Sequence, residues 1–196
     1  MDLAFDAAQD ASDEALLVAY GNGDVSAARI LMLRLTPKLL GFAARMLRGD
    51  RAEAEDVAQE AMLRLWKIAP DWRQGEAKVS TWLYRVVSNL CTDRLRRARS
   101  VDLDSIAEPE DDSASAEQDL QQAARNRALD AALAELPDRQ RQAVVLRHIE
   151  GLSNPEIAQV MDIGVEAVES LTARGKRALA ALLAGRRAEL GYEDDR

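Results

Sequence analysis

Two stretches of the sequence carry side chains whose types and spacing suit contact with nucleic acid. In the first, Ser153 and Glu156 have the spacing of a capping box, which predicts that a short helix begins there. A tight turn containing Gly164 follows, and a longer helix then starts at Val165. Two helices joined in this way are typical of a helix-turn-helix. The plainer alternative is a helical hairpin of any all-α protein, but capping, turn length and spacing agree in favouring the helix-turn-helix.

The longer of these two predicted helices, 165–183, turns its polar side chains outward, because Val168 and Leu171 are expected to pack against the shorter helix. In a helix-turn-helix the second helix enters the major groove, and side chains near its N-terminal half reach base edges. The outward positions are Glu166, Glu169, Ser170, Ala173, Arg174 and Arg177.

The second stretch is a helix predicted for 80–99, which combines a polar and basic face with an aromatic ring. At about 100° per residue, its buried stripe consists of Leu83, Val86, Val87 and Leu90. Another face carries, in order, Trp82, Arg85, Asn89, Thr92 and Arg96. Such a face suits a strand whose bases are unpaired, because the ring offers a stacking platform. A solvated face with Trp82 in the core is an equally good interpretation of this helix taken alone.

A third helix, predicted for 52–68, exposes carboxylates and an amide. The carboxylates at 53, 56 and 60 raise the alternative of a metal site, but no histidine follows at the spacing used by di-iron bundles. The single histidine, His148, lies in the other half of the chain. We therefore interpret Asp56, Gln59 and Glu60 as a protein-docking face, with a plain solvated face as the nearest alternative. We expect no metal and no cofactor.

These helices belong to an all-α chain made of two small helical domains. The N-terminal helices are predicted at about 12–21, 24–47, 50–69 and 80–99, and Pro37 is expected to break or kink the second. Two further helices, one ending before Pro137 and one at about 138–149, precede the helix-turn-helix. The predicted domains are an N-terminal helical bundle at 1–99, a linker at 100–125, a C-terminal domain at 126–184 and a short acidic tail at 185–196.

The formal net charge of −8 lies almost entirely in the predicted linker. Residues 1–99 carry 15 basic and 14 acidic side chains, and residues 125–196 carry 11 and 12. Residues 100–124 carry eight acids and no lysine or arginine, a composition that predicts a flexible acidic spacer. Because both helical domains are nearly neutral, the overall negative charge does not exclude a nucleic-acid partner.

Composition also argues against a membrane-spanning protein, a secreted protein and an enzyme. The apolar runs are too short to cross a bilayer, and the start of the sequence has no pattern of a signal peptide. The lone Cys91 cannot form an internal disulfide and is expected to be a buried, inert thiol. We expect a cytoplasmic protein with no membrane partner and no small-molecule substrate. Because no nucleophile–base pair or phosphate-binding glycine loop is present, we do not expect an enzyme.

Three segments in this order resemble the bacterial RNA polymerase sigma factors of the extracytoplasmic-function group. EAEDVAQEAMLRLW (53–66) is similar to region 2.2 of that family, and KVSTWLYRVVSNLCTDRLRR (78–97) to regions 2.3 and 2.4. Residues 136–179 are similar to region 4. The resemblance covers about residues 12–99 and 126–183. Each motif alone is moderately specific, whereas the ordered set is highly specific.

The resemblance implies a protein that binds core RNA polymerase and directs it to promoters. The face of Asp56, Gln59 and Glu60 is then expected to dock on the clamp helices of the β′ subunit. The residues expected to contact the minus-ten element are Thr81, Trp82, Arg85, Asn89, Thr92 and Arg96. Those expected to contact the minus-thirty-five element are Glu166, Ser170, Arg174 and Lys176.

The resemblance also implies further partners. The helix-turn-helix domain is expected to sit on the β flap, and the acidic linker to follow basic channels of the polymerase by imitating the charge of nucleic acid. Family members are commonly held inactive by an anti-sigma factor, so the resemblance admits such a partner.

The sequence departs from the family pattern at several positions. Val79 stands where phenylalanine is frequent, and Gly175 where alanine is usual. Glu169 and Leu171 replace basic residues of the recognition helix, and an acid near phosphates weakens the salt-dependent part of binding. We therefore expect weakened contact with the minus-thirty-five element.

Two other functions remain open at this point. An ordinary helix-turn-helix regulator would account for residues 153–183. An adaptor that blocks another sigma factor would require only the docking face of Asp56, Gln59 and Glu60.

Overall fold

The computed structural model describes residues 10–73, 75, 78–101 and 117–184, and within these ranges every regular element is helical. This confirms the all-α fold class. The elements are α1 (Asp13–Gly21), α2 (Val25–Met46), α3 (Arg51–Ile68), a 3-10 turn (Ala69–Asp71), α4 (Val79–Val101), α5 (Glu117–Glu135), α6 (Asp138–His148), α7 (Asn154–Met161) and α8 (Val165–Ala184).

Helices α1–α4 form an N-terminal bundle whose first three helices begin at side-chain caps. The hydroxyl of Ser12 accepts a hydrogen bond from the Ala15 amide at 3.2 Å. Asp24 and Asp50 cap α2 and α3 in the same way. Because each cap satisfies a backbone N–H that has no partner inside its helix, these three starts are readable from the sequence, and the structure confirms them.

Pro37 does not break α2, so the predicted break is wrong. The helix runs unbroken through Pro37 because a continuous apolar stripe, with Leu31, Leu35 and Leu39 all buried, anchors it on both sides. The missing N–H leaves the carbonyl of Leu33 without its usual helical partner. Leu33 lies on the solvent side of the helix, where water can satisfy that carbonyl.

Helix α4 has a cap that no local pattern predicts. The carboxylate of Glu14, from α1, accepts a hydrogen bond from the Val79 amide at 3.0 Å. A negative charge at this end of a helix also interacts favourably with the helix dipole. The cap therefore ties the start of α4 to α1, 65 residues earlier in the chain.

Helices α5–α8 form the C-terminal bundle. Helix α5 begins at Glu117, inside the segment predicted as linker, because its sequence from 117 onward is rich in Glu, Gln, Ala and Leu, which are good helix formers. The rest of the predicted linker at 102–116, and the tail at 185–196, lie outside the described residues. Helices α6 and α8 approach closely at Gly175, where an added Cβ would lie 2.6 Å from Cγ2 of Val144 and 3.0 Å from the carbonyl oxygen of Gln140.

The two bundles pack against each other. Helix α4 lies against α7, and α2 lies against α5 and α6. The buried apolar side chains of both bundles belong to one continuous cluster, from Leu16 to Val168. Among the described residues, no helix is both long enough and apolar enough to span a membrane.

We expect Gly175→Ala to lower the melting temperature of the protein. Alanine has the higher helix propensity by about 1 kcal/mol, but the overpacking against Val144 and Gln140 costs typically about 1–3 kcal/mol. Gly41→Ala is the matched control, because Gly41 is also inside a helix and its added Cβ would meet only the end of the Arg45 side chain, at 3.4 Å. Thermal melts should show opposite shifts for the two variants, and a rise for Gly175→Ala would contradict the close packing.

Candidate nucleic-acid interface

Helix α4 has three sides. Val79, Leu83, Val87 and Cys91 are fully buried and form the side that packs on α2 and α3. A second side carries Thr81, Tyr84 and Ser88, which are polar and also buried. The third side is open to solvent and carries Arg85, Asn89, Thr92 and Arg96, with Trp82 half-buried at its start.

The ring of Trp82 is neither free nor fully in the core. It packs edge-to-face on Trp72, with ring centroids 6.3 Å apart and an interplanar angle of 85°. Trp72 follows the 3-10 turn that ends α3, so the turn sets the position of both rings. An edge contact of this kind is a preferred aromatic geometry, and it restrains Trp82 while leaving part of its surface exposed.

The structure brings together five of the six residues predicted for the minus-ten contact, and it buries the sixth. Thr81 is only 5% exposed, because it lies on the second side of α4 rather than on the open side. On the open side, Thr92 donates a hydrogen bond from its hydroxyl to the Ser88 carbonyl at 2.8 Å, and Arg96 pairs with Asp93 at 2.6 Å. Arg85 and Asn89 are exposed between them and Trp82.

The docking face predicted on α3 is exposed. Asp56 and Gln59 point to solvent, and Glu60 is held by Arg64 one turn later at 2.6 Å. Leu63, on the same helix, is 55% exposed and adds an apolar group that was not predicted to belong to this face. It lies four residues after Gln59, about one helical turn along the same face, and this spacing could have identified it from the sequence.

Two of the three carboxylates that could form a metal site on α3 are in ion pairs in the structure. Glu53 forms an ion pair with Arg94 of α4 at 3.0 Å, and Glu60 forms one with Arg64.

The helix-turn-helix forms as expected. Ser153 and Glu156 make both hydrogen bonds of a capping box at the start of α7. The turn begins at Asp162, whose φ of 52° lies in the left-handed region that permits a sharp change of direction. Ile157, Val160 and Val168 are buried where α7 and α8 meet.

On α8, the predicted contact residues divide between two places. Glu166, Ser170 and Arg174 are exposed and share one face, and Arg177 extends that face. Lys176 lies off this face, near His148. Burial lowers the pKa of the His148 imidazole, and the positive charges of Lys176 and Arg147 lower it further.

The two departures on α8 have structural partners. Leu171 packs against the core, so it is not available to nucleic acid. The carboxylate of Glu169 accepts a hydrogen bond from the side chain of Asn154, at the start of α7, at 3.5 Å.

The lone cysteine is buried, as predicted. Cys91 is fully buried, and burial raises the pKa of its thiol to about 12, against the weaker opposing effect of Arg94 and Arg141. The thiolate, which is the reactive form, is therefore scarce.

Comparisons with known proteins identify the two bundles. Residues 31–101 match the family profile of sigma-70 region 2, and residues 126–179 match that of sigma-70 region 4. The chain is 34% identical over 184 residues to the ECF RNA polymerase sigma factor SigM of Mycobacterium tuberculosis, an alignment that covers 92% of this chain and 89% of SigM. The chain belongs to the ECF sigma factors of the sigma-70 family.

Other relatives agree with this assignment. The RNA polymerase sigma-H factor of Pseudomonas aeruginosa is 32% identical over 178 residues, covering 85% of this chain and 91% of that protein. The solved structure of CnrH in complex with the cytosolic domain of CnrY matches with a TM-score of 0.64 at 27% identity, covering 89% of this chain and 99% of that one. The protein is thus a sigma factor that directs promoter-specific initiation by RNA polymerase, and not an enzyme.

Glu156 of region 4 does more than cap its own helix. One carboxylate oxygen accepts hydrogen bonds from the amide and hydroxyl of Ser153, and the other accepts from Lys78 of region 2 at 2.7 Å. The bond from Lys78 is the largest cause, and those from Ser153 come next, of a pKa lowered to about 2. The same carboxylate therefore organises the helix-turn-helix and joins it to region 2.

We expect acid to weaken the fold partly through Glu156. Because its folded pKa of about 2 lies below the ordinary value of 4.5, its contribution is complete above pH 4.5 and is lost as the pH falls toward 2. Urea unfolding between pH 7 and 3 should show the wild type losing stability faster than Glu156→Gln. Lys78→Gln should give an intermediate slope, since Ser153 still donates. A stability difference between wild type and Glu156→Gln that is independent of pH would contradict this assignment.

Proposed function

We propose that the sigma factor divides its work among three helix faces: α3 docks on the polymerase, the open side of α4 binds the minus-ten element, and α8 contacts the minus-thirty-five element. The observation that carries the proposal is the open side of α4. There Arg85 and Asn89 stand exposed beside a Trp82 ring that is restrained but not covered.

The open side of α4 has the chemistry that promoter melting needs. A base that leaves the duplex loses its stacking partners, and an aromatic ring can replace them with about 1–3 kcal/mol per base. The amide of Asn89 can hydrogen-bond a base edge, and the guanidinium groups of Arg85 and Arg96 can lie along the phosphates. Thr92 completes this set, whereas Thr81 belongs to it only if the buried side of α4 becomes accessible.

The docking face of Asp56, Gln59, Glu60 and Leu63 is proposed to bind the clamp helices of the polymerase β′ subunit. A protein interface combines a small apolar centre with a polar rim, and Leu63 among carboxylates and an amide has that composition. The proposed bounds are 1–99 for region 2 and its N-terminal extension, 100–125 for the linker, 126–184 for region 4 and 185–196 for the tail. The linker would follow basic channels of the polymerase.

Region 4 is proposed to read the minus-thirty-five element with Ser170 and Arg174 while it sits on the β flap. Its contribution is expected to be small, because Glu166 and Glu169 place two exposed acids on the recognition helix. Lys176 lies beside His148 and is proposed to contact only the phosphate backbone, not the bases. Because its partners are the polymerase and promoter DNA, we place the protein in the cytoplasm.

A regulatory partner is also proposed. The related CnrH forms a complex with the cytosolic domain of CnrY. By analogy, we propose that an anti-sigma factor of similar kind binds this chain.

Docking is tested with Asp56→Ala combined with Gln59→Ala. Since both side chains are exposed and make no core contact, the melting temperature should stay close to that of the wild type, while affinity for core polymerase falls about tenfold or more. Arg51→Ala, also exposed on α3 but near its start, is the matched control and should bind core polymerase normally. Unchanged affinity of the double variant would exclude this docking face.

Promoter opening is tested with Trp82→Ala and Asn89→Ala in run-off transcription with core polymerase. We expect each variant to lose about ten- to a hundredfold of open complex on duplex promoters, and less on promoters that are already melted. Arg174→Ala is the comparison in region 4 and should lose less. An adaptor that only blocked another sigma factor would support no run-off transcript at all.

These variants need a thermal melt beside the transcription assay, because Trp82 also contacts Trp72. If Trp82→Ala and Asn89→Ala both fold and open duplex promoters normally, while Arg174→Ala abolishes opening, the order of the two DNA sites is wrong.

A further inference from the structure

The exposed carboxylate of Glu169 on α8 is held from across the helix-turn-helix. Its Oε1 accepts a hydrogen bond from Nδ2 of Asn154, the first residue of α7, at 3.5 Å. Asn154 is itself fixed in place, because Ser153 and Glu156 close the capping box around it. The contact therefore gives an exposed side chain a preferred direction. A carboxylate has two oxygens, and Oε2 can accept a further hydrogen bond.

The contact between Asn154 and Glu169 orients the carboxylate more than it stabilises the fold. Helices α7 and α8 are already joined by Ile157, Val160 and Val168, which are buried where the two helices meet. One hydrogen bond between exposed side chains adds little to the free energy of unfolding beside such packing. Its main effect is on where the carboxylate lies.

Glu169 lies at one edge of the face of α8 that the proposed function turns toward DNA, and Arg174 lies at the other edge. At about 100° per residue, the two positions differ by about 140° around the helix axis. Ser170 and Ala173 are exposed between these edges, and both side chains are small. Nε of Arg174 donates to the Ser170 carbonyl at 3.3 Å, so the arginine side chain lies along α8. The face thus has an acceptor at one edge and a donor at the other, with room between them for a base edge.

The bases that such a face can read follow from hydrogen-bonding chemistry. A carboxylate only accepts hydrogen bonds, and the groups that donate in the major groove are the amino groups of cytosine and adenine. Adenine carries the N7 acceptor beside its amino group and so repels a carboxylate, whereas cytosine presents no acceptor there. Guanine and thymine offer no donor in this groove. Glu169 is therefore matched to cytosine, and Arg174 to the two acceptors of guanine.

An acid on a DNA-binding helix carries a cost with every sequence. Near phosphates it weakens the salt-dependent part of binding, whichever base lies opposite. A hydrogen bond from an amino group offsets this cost at cytosine, whereas an acceptor opposite the carboxylate adds repulsion. Specificity is a difference between two affinities, so an acid that lowers affinity overall can still raise discrimination.

We propose that Glu169 is a specificity-determining residue of region 4: its carboxylate accepts a hydrogen bond from the N4 amino group of a cytosine in the minus-thirty-five element. Asn154 is the positioning residue that holds the carboxylate toward that base. Arg174 donates to a guanine at the other edge of the face. This assignment rests on the function proposed for α8 and deepens it, because it names the base and the group that reads it.

Base preference is measured with holoenzyme assembled from core polymerase and the full-length protein. Holoenzyme is mixed with a promoter library randomised over the minus-thirty-five element, and the promoters that it retains are sequenced. For the wild type we expect one position where cytosine is preferred by about tenfold. Glu169→Gln should favour adenine at that position, because an amide both donates and accepts and so pairs with N7 and N6. Glu169→Ala should show no preference there, and Arg174→Ala should instead lose a guanine preference at another position.

The positioning role of Asn154 is tested in the same assay. Asn154→Ala should weaken the cytosine preference and leave the other positions unchanged, and Asn154→Gln, which keeps the amide donor, should retain part of it. Both variants should melt close to the wild type, since the capping box does not use the Asn154 side chain. Asp162→Asn is the matched control for charge. It removes an exposed acid in the turn before α8, at a left-handed position that asparagine tolerates, and should change no base preference.

The amino group itself is tested with 2-pyrimidinone in place of the preferred cytosine, because this base lacks only the 4-amino group. Wild-type holoenzyme should bind the modified promoter about tenfold more weakly than the unmodified one. Holoenzyme with Glu169→Ala should bind the two promoters equally, since the partner of the amino group is already absent.

Three results would overturn the inference. One is a wild type that prefers cytosine at no position of the element. Another is a shift toward adenine caused by Glu166→Gln rather than by Glu169→Gln, since a different carboxylate would then read the base. A third is the same shift caused by Asp162→Asn, which would make the effect one of net charge.

Failure of this inference is distinguishable from failure of the proposed function. A base preference in the minus-thirty-five element that is lost in Arg174→Ala would leave the function proposed for α8 standing, whatever Glu169 does. Wild-type holoenzyme that is indifferent to every base of the element would contradict that function as well.

Discussion

The structure depends on the burial of one side of α4 against α2 and α3. Leu83, Val87 and Cys91 are fully buried there, and burying a leucine or valine side chain stabilises a fold by about 1.5–3 kcal/mol. A helix anchored by such a stripe cannot rotate about its axis without exposing it. The burial therefore decides which residues of α4 face solvent.

The same constraint leaves α4 with an open side and a side that faces region 4. With the apolar side committed to the bundle, Trp82, Arg85 and Asn89 are left on the open side, and Tyr84 is left at the boundary with region 4. Trp72 and Glu14, from other elements, restrain the start of the helix by an aromatic contact and by a cap. The start of the open side is thereby held in place by contacts with other elements.

Carboxylates of region 4 stabilise their own bundle and also join it to region 2. Glu156 closes the capping box of the helix-turn-helix and also accepts from Lys78. Asp138 is surrounded by Arg48, Arg99 and Arg141; its partial burial would raise its pKa, but the three guanidinium groups together hold the pKa below the ordinary value. Asp138 therefore pairs with cations of both bundles.

The sequence by itself determined the local features. The helix starts at Ser12, Asp24 and Asp50, the capping box at Ser153 and the helix-turn-helix spacing are properties of residues a few positions apart, where helix geometry relates side chains directly. The buried stripe of α4 was predicted correctly at Leu83 and Val87, whereas Val86 and Leu90 are only half-buried. The exposure of Asp56, Gln59, Arg85 and Asn89 followed from the same periodicity, and the ordered motifs identified the family.

Only the tertiary structure decided what depends on distant pairs. Pro37 lies inside a helix because a long apolar stripe outweighs one lost hydrogen bond, and Thr81 is buried because a second packed side of α4 adds to the first. Gly175 is a glycine because α6 approaches α8 there, which no property of the recognition helix reveals. The pairing of Tyr84 with Glu150, 66 residues away, arises where two surfaces meet, and a local pattern carries no information about such contacts.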